Sequence, residues 1–195
     1  MSTRWRTLER YFIVRTSWVY GAGGKNFVRT MLQLSRTHDA LRVVSDQIGT
    51  PTYAPDLARL LADMVETDRY GRYNAVNSGG CVSWYDFACA IFRAAGIPVT
   101  VLPVTTEEYG RSLAARPHSS RLDTGKLAGS GFAPLPDWQD ALARYLALEQ
   151  TQTQNSTDLP AQPWCAGQMH FFFSQRFGLT SDTNDRMPVS CEPRG

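Results

Sequence analysis

The sequence has no apolar run near the ~20 residues that a membrane-spanning helix needs, so no membrane partner is expected. Residues 1–6 lack the apolar core of an export signal, which favours a cytoplasmic protein. Charge of one sign does not accumulate, because the formal net charge is only +2 and is spread along the chain. This balance argues against a nucleic-acid partner.

Metal-binding patterns are absent as well. The four cysteines form no C-x-x-C pair and have no histidine beside them, so we expect no metal site. Two of them lie in segments predicted to be buried, which favours reduced structural thiols there. The cysteines are Cys81, Cys89, Cys165 and Cys191, and the first two are the ones predicted to be buried.

Common catalytic motifs are missing too. The chain has no G-x-S-x-G, no H-E-x-x-H and no P-loop. Residues 125–131 look superficially like a glycine-rich nucleotide loop, but no predicted strand precedes them and no strong helix begins within them. A glycine-terminated helical turn is therefore the favoured interpretation of this segment.

What is present is an alternating β/α order up to about residue 149. Apolar patterning predicts strands at residues 11–20, 41–44, 71–77 and 99–104. It predicts helices at residues 27–36, 56–65, 83–96 and 136–148, with a helical turn from residue 105. Asn26, Asp56 and Ser83 are predicted N-caps, the last with Asp86 in a variant capping box, and Gly96 ends that helix.

The composition changes beyond Glu149. Residues 150–157 are a polar low-complexity segment, and the aromatic residues that follow show no sustained period. We therefore expect three parts: a leader at residues 1–10, a binding domain at 11–149, and a linker with a disordered tail at 150–195. A small interaction tag anchored by residues 171–173 is the competing interpretation of the tail.

Six motifs occur in one order, and together they resemble a known family. They are RTSWVYG at residues 15–21, NFV at 26–28, VVSDQIGTPT at 43–52, SWYDFA at 83–88, RPHSSRLD at 116–123 and PDW at 136–138. The set is similar to the C-terminal half of the dTDP-4-dehydrorhamnose reductases, which are extended short-chain dehydrogenases. The resemblance covers about residues 11–149.

The resemblance implies a substrate site for a deoxy-keto-hexose joined through a diphosphate to thymidine. Trp18 matches the family tryptophan that lies against the sugar, with a core tryptophan as the alternative. Asn26 stands at a predicted helix N-terminus, where polar sugar or phosphate groups bind, with simple N-capping as the alternative. Arg116 resembles the arginine near the diphosphate, against a solvated surface arginine. Gln47 and Thr50 are expected to bind ligand or to organise their loop.

The implied fold is α/β: the C-terminal portion of a Rossmann-like extended short-chain dehydrogenase, with an incomplete parallel sheet and a substrate lobe. The complete enzymes use NADPH or NADH, through a G-x-x-G-x-x-G turn and a Y-x-x-x-K pair. Neither motif occurs here, and Tyr11 is followed four positions later by Arg15. We expect no catalytic residue in this chain and no cofactor bound by it alone. It is expected to begin where the catalytic helix ends.

Three functions follow from the resemblance. The first is the substrate-binding portion of a reductase that makes dTDP-L-rhamnose from dTDP-4-dehydro-L-rhamnose, inactive alone. The second is a non-catalytic binding or regulatory subunit, since regulatory subunits of methionine adenosyltransferase resemble the same reductases. The third is a truncated, inactive product. In each case the strands at residues 11–20 and 71–77 would expose a sheet edge. The chain is therefore expected to be unstable without an N-terminal half or self-association.

Overall fold

The computed structural model describes residues 9–110 and 117–155 of the 195-residue chain. The strands are β1 (Phe12–Arg15), β2 (Val19–Tyr20), β3 (Ala40–Val44), β4 (Ile48–Gly49), β5 (Thr52–Tyr53), β6 (Gly71–Asn74), β7 (Asn77–Ser78), β8 (Val82–Ser83), β9 (Thr100–Val104) and β10 (Leu135–Asp137). The helices are α1 (Phe27–Leu34), α2 (Ala54–Val65), α3 (Trp84–Ala95), α4 (Thr106–Tyr109), α5 (Gly125–Gly129) and α6 (Trp138–Asn155).

The strands of the described ranges form five pairs, four of them parallel. The parallel pairs are β1 with β6, β2 with β5, β3 with β9 and β7 with β10. Strands β4 and β8 pair antiparallel. Parallel neighbours require long crossover connections, which the helices supply. The predicted α/β class is confirmed.

The local signals at the ends of two helices are confirmed. The Asn26 side chain accepts a hydrogen bond from the backbone N–H of Arg29 and so caps α1. Ser83 and Asp86 form a reciprocal capping box at the start of α3. Gly96 ends α3 in a left-handed conformation, with φ of 66°, which glycine adopts without the strain of a side chain.

Two predicted strands are wrong as single elements. The strand predicted at residues 11–20 divides into β1 and β2 because Trp18 has a φ of 47°, and a left-handed residue cannot continue a strand. The strand predicted at residues 71–77 divides into β6 and β7, which pair with different partners.

The predicted N-cap Asp56 is wrong as well. Helix α2 begins two residues earlier, at Ala54, with Pro55 in its first turn, where the missing N–H of proline does no harm. Asp56 therefore lies inside the helix. Its buried carboxylate pairs with the guanidinium of Arg144 on α6 through two hydrogen bonds of 2.8 and 2.7 Å.

Several smaller expectations are also decided. Cys89 is buried, but Cys81 is exposed, because it follows two glycines in the loop between β7 and β8. The glycine-rich segment at residues 125–131 forms the short helix α5, as expected. Helix α6 continues past Leu148 to Asn155. The division of the chain at residues 10 and 150 stays a prediction, and residues 156–195 lie outside the described residues.

Buried apolar side chains form two clusters. The large core packs α1, α3 and α6 against β3 and β9, and includes Phe27, Met31 and Phe87. The small core lies under α2, β6 and α5, and includes Leu60, Met64 and Tyr73. No helix in residues 9–110 or 117–155 combines the length and apolar character needed to cross a bilayer.

Candidate functional site

A cavity of about 450 Å³ opens beyond the C-terminal ends of two parallel strands. Residues 16 and 17 follow β1, and Gln47 follows β3. Open α/β proteins bind ligands at this edge of the sheet, and the volume lies within the range of small-molecule sites. The lining residues are Thr16, Ser17, Trp18, Gln47, Trp84, Pro117, Ser119, Ser120, Arg121 and Leu122.

Trp18 lies half-buried in the cavity wall, and its contact with a sugar stays a prediction. Its indole stacks on that of Trp84, with ring centroids 3.6 Å apart and planes 10° from parallel. The Trp18 backbone carbonyl accepts a hydrogen bond of 3.2 Å from the N–H of Thr52. Trp18 thus combines a stacked ring with a strained backbone, and strain of that kind concentrates at functional sites.

The polar loop at residues 46–52 contributes one side chain to the cavity, and a second side chain stabilises the conformation of the loop. The Gln47 amide lines the cavity and donates to the Thr106 hydroxyl over 3.1 Å. The buried Thr50 side chain contacts the Gly80 carbonyl at 3.3 Å instead, and the Thr50 carbonyl accepts from the Ser17 hydroxyl at 2.8 Å. Of the two alternatives weighed for Thr50, the structure supports loop organisation.

The Asp46 side chain stabilises this loop through hydrogen bonds. It accepts hydrogen bonds from the backbone N–H of Thr106, at 3.0 Å, and from the Thr106 hydroxyl, at 2.6 Å. The His118 ring lies 3.8 Å away. Burial raises the pKa of the Asp46 carboxyl, but the donors from Thr106 and the nearby His118 outweigh it, so the pKa falls below its ordinary value. The carboxylate form is therefore the one that organises the loop.

The opposite wall is the segment at residues 117–122, which is held on β4 by backbone hydrogen bonds. The N–H of Ile48 donates to the His118 carbonyl at 2.8 Å, and the N–H of Ser120 donates to the Ile48 carbonyl at 2.7 Å. This pairing places two serine hydroxyls and the guanidinium of Arg121 along the cavity.

Arg121 is the cavity cation that sequence reasoning missed. Arg116, the arginine selected from the sequence, lies outside the described residues. Arg121 is exposed at the cavity, five positions further along the same motif. The signal that could have found it is the second arginine of RPHSSRLD, set beside two serines.

Asn26 lies apart from the cavity. It is only 4% exposed, and its amide donates to the Gly21 carbonyl at 2.9 Å and to the Tyr145 hydroxyl at 3.1 Å. Its carbonyl caps α1. The structure therefore supports the capping role, and a ligand role for Asn26 stays a prediction without a contact behind it.

The chemistry of the cavity is that of a binding site. Its described residues offer indole rings, several hydroxyls, an amide and a guanidinium, which together match a polyhydroxylated ring that carries an anionic group. Within residues 9–110 and 117–155, no three histidine, cysteine or acidic side chains cluster closely enough to hold a metal ion.

Comparisons with known proteins agree with this chemistry. The family described as the RmlD substrate binding domain matches residues 4–151. The spore coat polysaccharide biosynthesis protein SpsK of Bacillus subtilis (strain 168) is 49% identical over 134 residues, which are 69% of this chain and 46% of that protein. The dTDP-4-dehydrorhamnose reductase of Aggregatibacter actinomycetemcomitans is 44% identical over 151 residues, or 71% of this chain and 50% of that one.

A solved structure gives the same result. The dTDP-4-dehydrorhamnose reductase of Bacillus anthracis str. Ames, in complex with NADP, has a TM-score of 0.67 at 44% identity, covering 72% of this chain and 49% of that one. The chain thus spans about half the length of the relatives it matches. More distant structures, below 25% identity, share the fold alone.

Proposed function

The chain belongs to the family of RmlD substrate-binding domains, and from that membership we propose that it is the substrate-binding portion of a dTDP-4-dehydrorhamnose reductase. The complete enzyme would reduce dTDP-4-dehydro-L-rhamnose to dTDP-L-rhamnose with NADPH or NADH, in the synthesis of cell-surface polysaccharide precursors. The part assigned to this chain is to hold the sugar nucleotide.

The cavity beside Trp18 is the observation that carries the proposal. The half-buried indole offers apolar surface to a pyranose ring, and Gln47 and the two serines offer hydrogen bonds to sugar hydroxyls. Arg121 supplies the positive charge that a diphosphate requires, and Arg116, in the same motif, is a second candidate for that role. The residue types that line the cavity therefore match the chemistry of a sugar nucleotide.

The cofactor is assigned to a separate cofactor-binding half. The Bacillus anthracis reductase is in complex with NADP, which supports a nicotinamide cofactor for the whole enzyme. In the described part of this chain, however, the glycine-rich segment that begins at residue 125 forms helix α5, and no strand leads into it. These residues do not fit a dinucleotide, so no hydride step is derived from them.

The pairing of the strands indicates where a protein partner would bind. Among the described residues β1 pairs only with β6, so one edge of β1 has no neighbouring strand. The three residues Phe12–Val14 at that edge are only half-buried. We place a cofactor-binding half, or a second copy of the chain, against this edge.

Calorimetric titration of the full chain with dTDP-L-rhamnose tests the substrate assignment. Wild type should bind, and Trp18→Ala, Arg121→Ala and Arg116→Ala should each weaken binding about tenfold or more, because each removes a stacking or charge-assisted contact. Arg36→Ala is the matched control, because Arg36 is exposed and does not line the cavity. A folded wild-type chain without affinity for this nucleotide would contradict the proposal.

A non-catalytic binding subunit is the second candidate, favoured by the lack of a Y-x-x-x-K pair in these 195 residues. The two candidates differ when a cofactor-binding half from a related reductase is supplied in trans. The reductase portion should then restore oxidation of NADPH by dTDP-4-dehydro-L-rhamnose, whereas a regulatory subunit should bind the sugar nucleotide without turnover.

A further inference from the structure

Trp18 needs outside support to hold its conformation. Its φ of 47° lies in the left-handed region, which is sterically disfavoured for a residue with a large side chain. No other non-glycine residue in the described ranges has a positive φ. Contacts with the surrounding structure must therefore hold the Trp18 indole in this orientation.

Trp84 supplies that support by stacking on Trp18 at 3.6 Å. Trp84 is itself fixed from two sides, because it is the first residue of α3, directly after the Ser83 cap, and because its ring packs on buried Phe27 with centroids 4.5 Å apart. Because aromatic side chains bury a large area when they pack, these contacts restrict the orientation of both indoles.

Gly49 is the third residue that decides the position of the Trp18 ring. The antiparallel pairing of β4 and β8 sets Gly49 opposite Val82, two residues before Trp84. A Cβ on Gly49 would lie 2.5 Å from the nearest ring atom of Trp18, closer than atoms can approach. The absence of a side chain at Gly49 therefore leaves the volume in which the Trp18 ring lies.

We propose that Trp84 is a positioning residue, which orients Trp18 so that the stacked pair recognises the sugar ring of the bound nucleotide. Both tryptophans line the cavity, so the stack is part of its wall rather than of the core. The inference rests on the proposed function for the identity of the ligand. It adds Trp84 and Gly49 to the determinants of sugar recognition.

The first measurement needs no ligand. Two stacked indoles produce an exciton couplet in the far-ultraviolet circular dichroism of the full chain. Trp84→Leu should abolish the couplet, and Gly49→Ala should also abolish it, because the new methyl group displaces the Trp18 ring from the stack. Trp138→Phe is the control, since Trp138 lies in the large core outside the stack and its loss should leave the couplet intact.

The second measurement is the ratio of the dissociation constants for dTDP and dTDP-L-rhamnose, because this ratio isolates recognition of the sugar. Trp84→Leu and Gly49→Ala should reduce the preference for the sugar-bearing nucleotide about 3- to 10-fold and leave the affinity for dTDP within about twofold. Trp84→Phe should retain most of the preference, because a phenyl ring still supports the Trp18 face, although the couplet is lost.

The outcomes separate this inference from the proposed function. A wild-type preference for the sugar that survives in both Trp84→Leu and Gly49→Ala overturns the positioning role and leaves the substrate assignment intact. A wild-type chain without the couplet overturns the stack itself. A folded chain that shows the couplet but binds neither nucleotide overturns the proposed function and the sugar recognition inferred from it.

Discussion

The two hydrophobic cores of the molecule differ in size, in chemistry and in what they support. The large core is rich in aromatic rings and carries the cavity wall, since Trp18 and Trp84 pack against it. The small core lies beside β1 and β6, and half-buried Phe12 and Val14 border it. The site therefore rests on the larger core, and the β1 edge assigned to a partner lies beside the smaller one.

A buried polar network joins the two cores. Asp56 belongs to α2, which packs into the small core, and Arg144 belongs to α6, which packs into the large one. The Asn77 amide donates to Asp56 and to the Pro136 carbonyl, both at 2.9 Å, and its carbonyl accepts from the Tyr53 N–H at 2.7 Å. The network ties α2, β5, β7, β10 and α6 into one unit.

Asp56→Ala should lower the free energy of unfolding by about 3 kcal/mol, a loss that none of the substitutions below exceeds. The Asp56 side chain is 0% exposed, so its removal leaves Arg144 and Asn77 without their shared acceptor. Because the Arg144 side chain is 33% exposed, it can turn toward water, which keeps the loss at the lower end for a broken buried pair. Urea unfolding followed by far-ultraviolet circular dichroism measures the change.

The control is Asp140→Ala, which removes the other, 61% exposed, partner of Arg144 and should cost about 0.5 kcal/mol or less.

Acid should weaken the same network. Burial raises the pKa of Asp56, but hydrogen bonds from Arg144 and Asn77 outweigh it and hold the pKa below its ordinary value. The Asp56 contribution is thus complete above about pH 4 and is lost as pH falls through the folded-state pKa. An Asp56→Ala effect that is the same at pH 7 and pH 3 would contradict this account.

A matched pair of methionines tests the difference between the cores directly. Met31 in the large core and Met64 in the small core are both 0% exposed. Met31→Ala should cost about 3 kcal/mol and Met64→Ala about 2 kcal/mol, because the half-buried border of the small core can move into the cavity that the substitution leaves. The same urea experiment measures both. A larger loss at Met64 would reverse the ranking of the two cores.

Sequence reasoning succeeded where a structure is specified locally. The capping box of Ser83 and Asp86 involves residues three positions apart, so their pattern alone predicts the start of α3. The α/β class follows from apolar periodicity in the same way. Trp18 and Gln47 were selected from their motifs and both line the cavity, while their contact with a ligand stays a prediction.

Sequence reasoning failed where a feature depends on a contact between residues that lie far apart in the chain. The break at Trp18 depends on a stack with Trp84, which lies in another motif far along the chain. Asp56 was assigned as a cap because nothing in the sequence around it indicates that it pairs with the guanidinium of Arg144 on α6. Arg121 was overlooked because only the pairing of Ile48 with the segment around Ser119 turns that segment toward the cavity.

Asn26→Ala should give the smallest of these effects and separates support of the large core from contact with ligand. The substitution removes the cap of α1 and two donors, to Gly21 and Tyr145, and should cost about 1 to 2 kcal/mol in urea unfolding. Asn26→Asp keeps the capping oxygen but sets a buried carboxylate oxygen against the Gly21 carbonyl, so its cost should be at least as large. Because Asn26 does not line the cavity, both variants should bind dTDP-L-rhamnose within about twofold of wild type. A tenfold loss of affinity in a stable Asn26→Asp chain would instead return Asn26 to the site and extend that site to the N-terminus of α1.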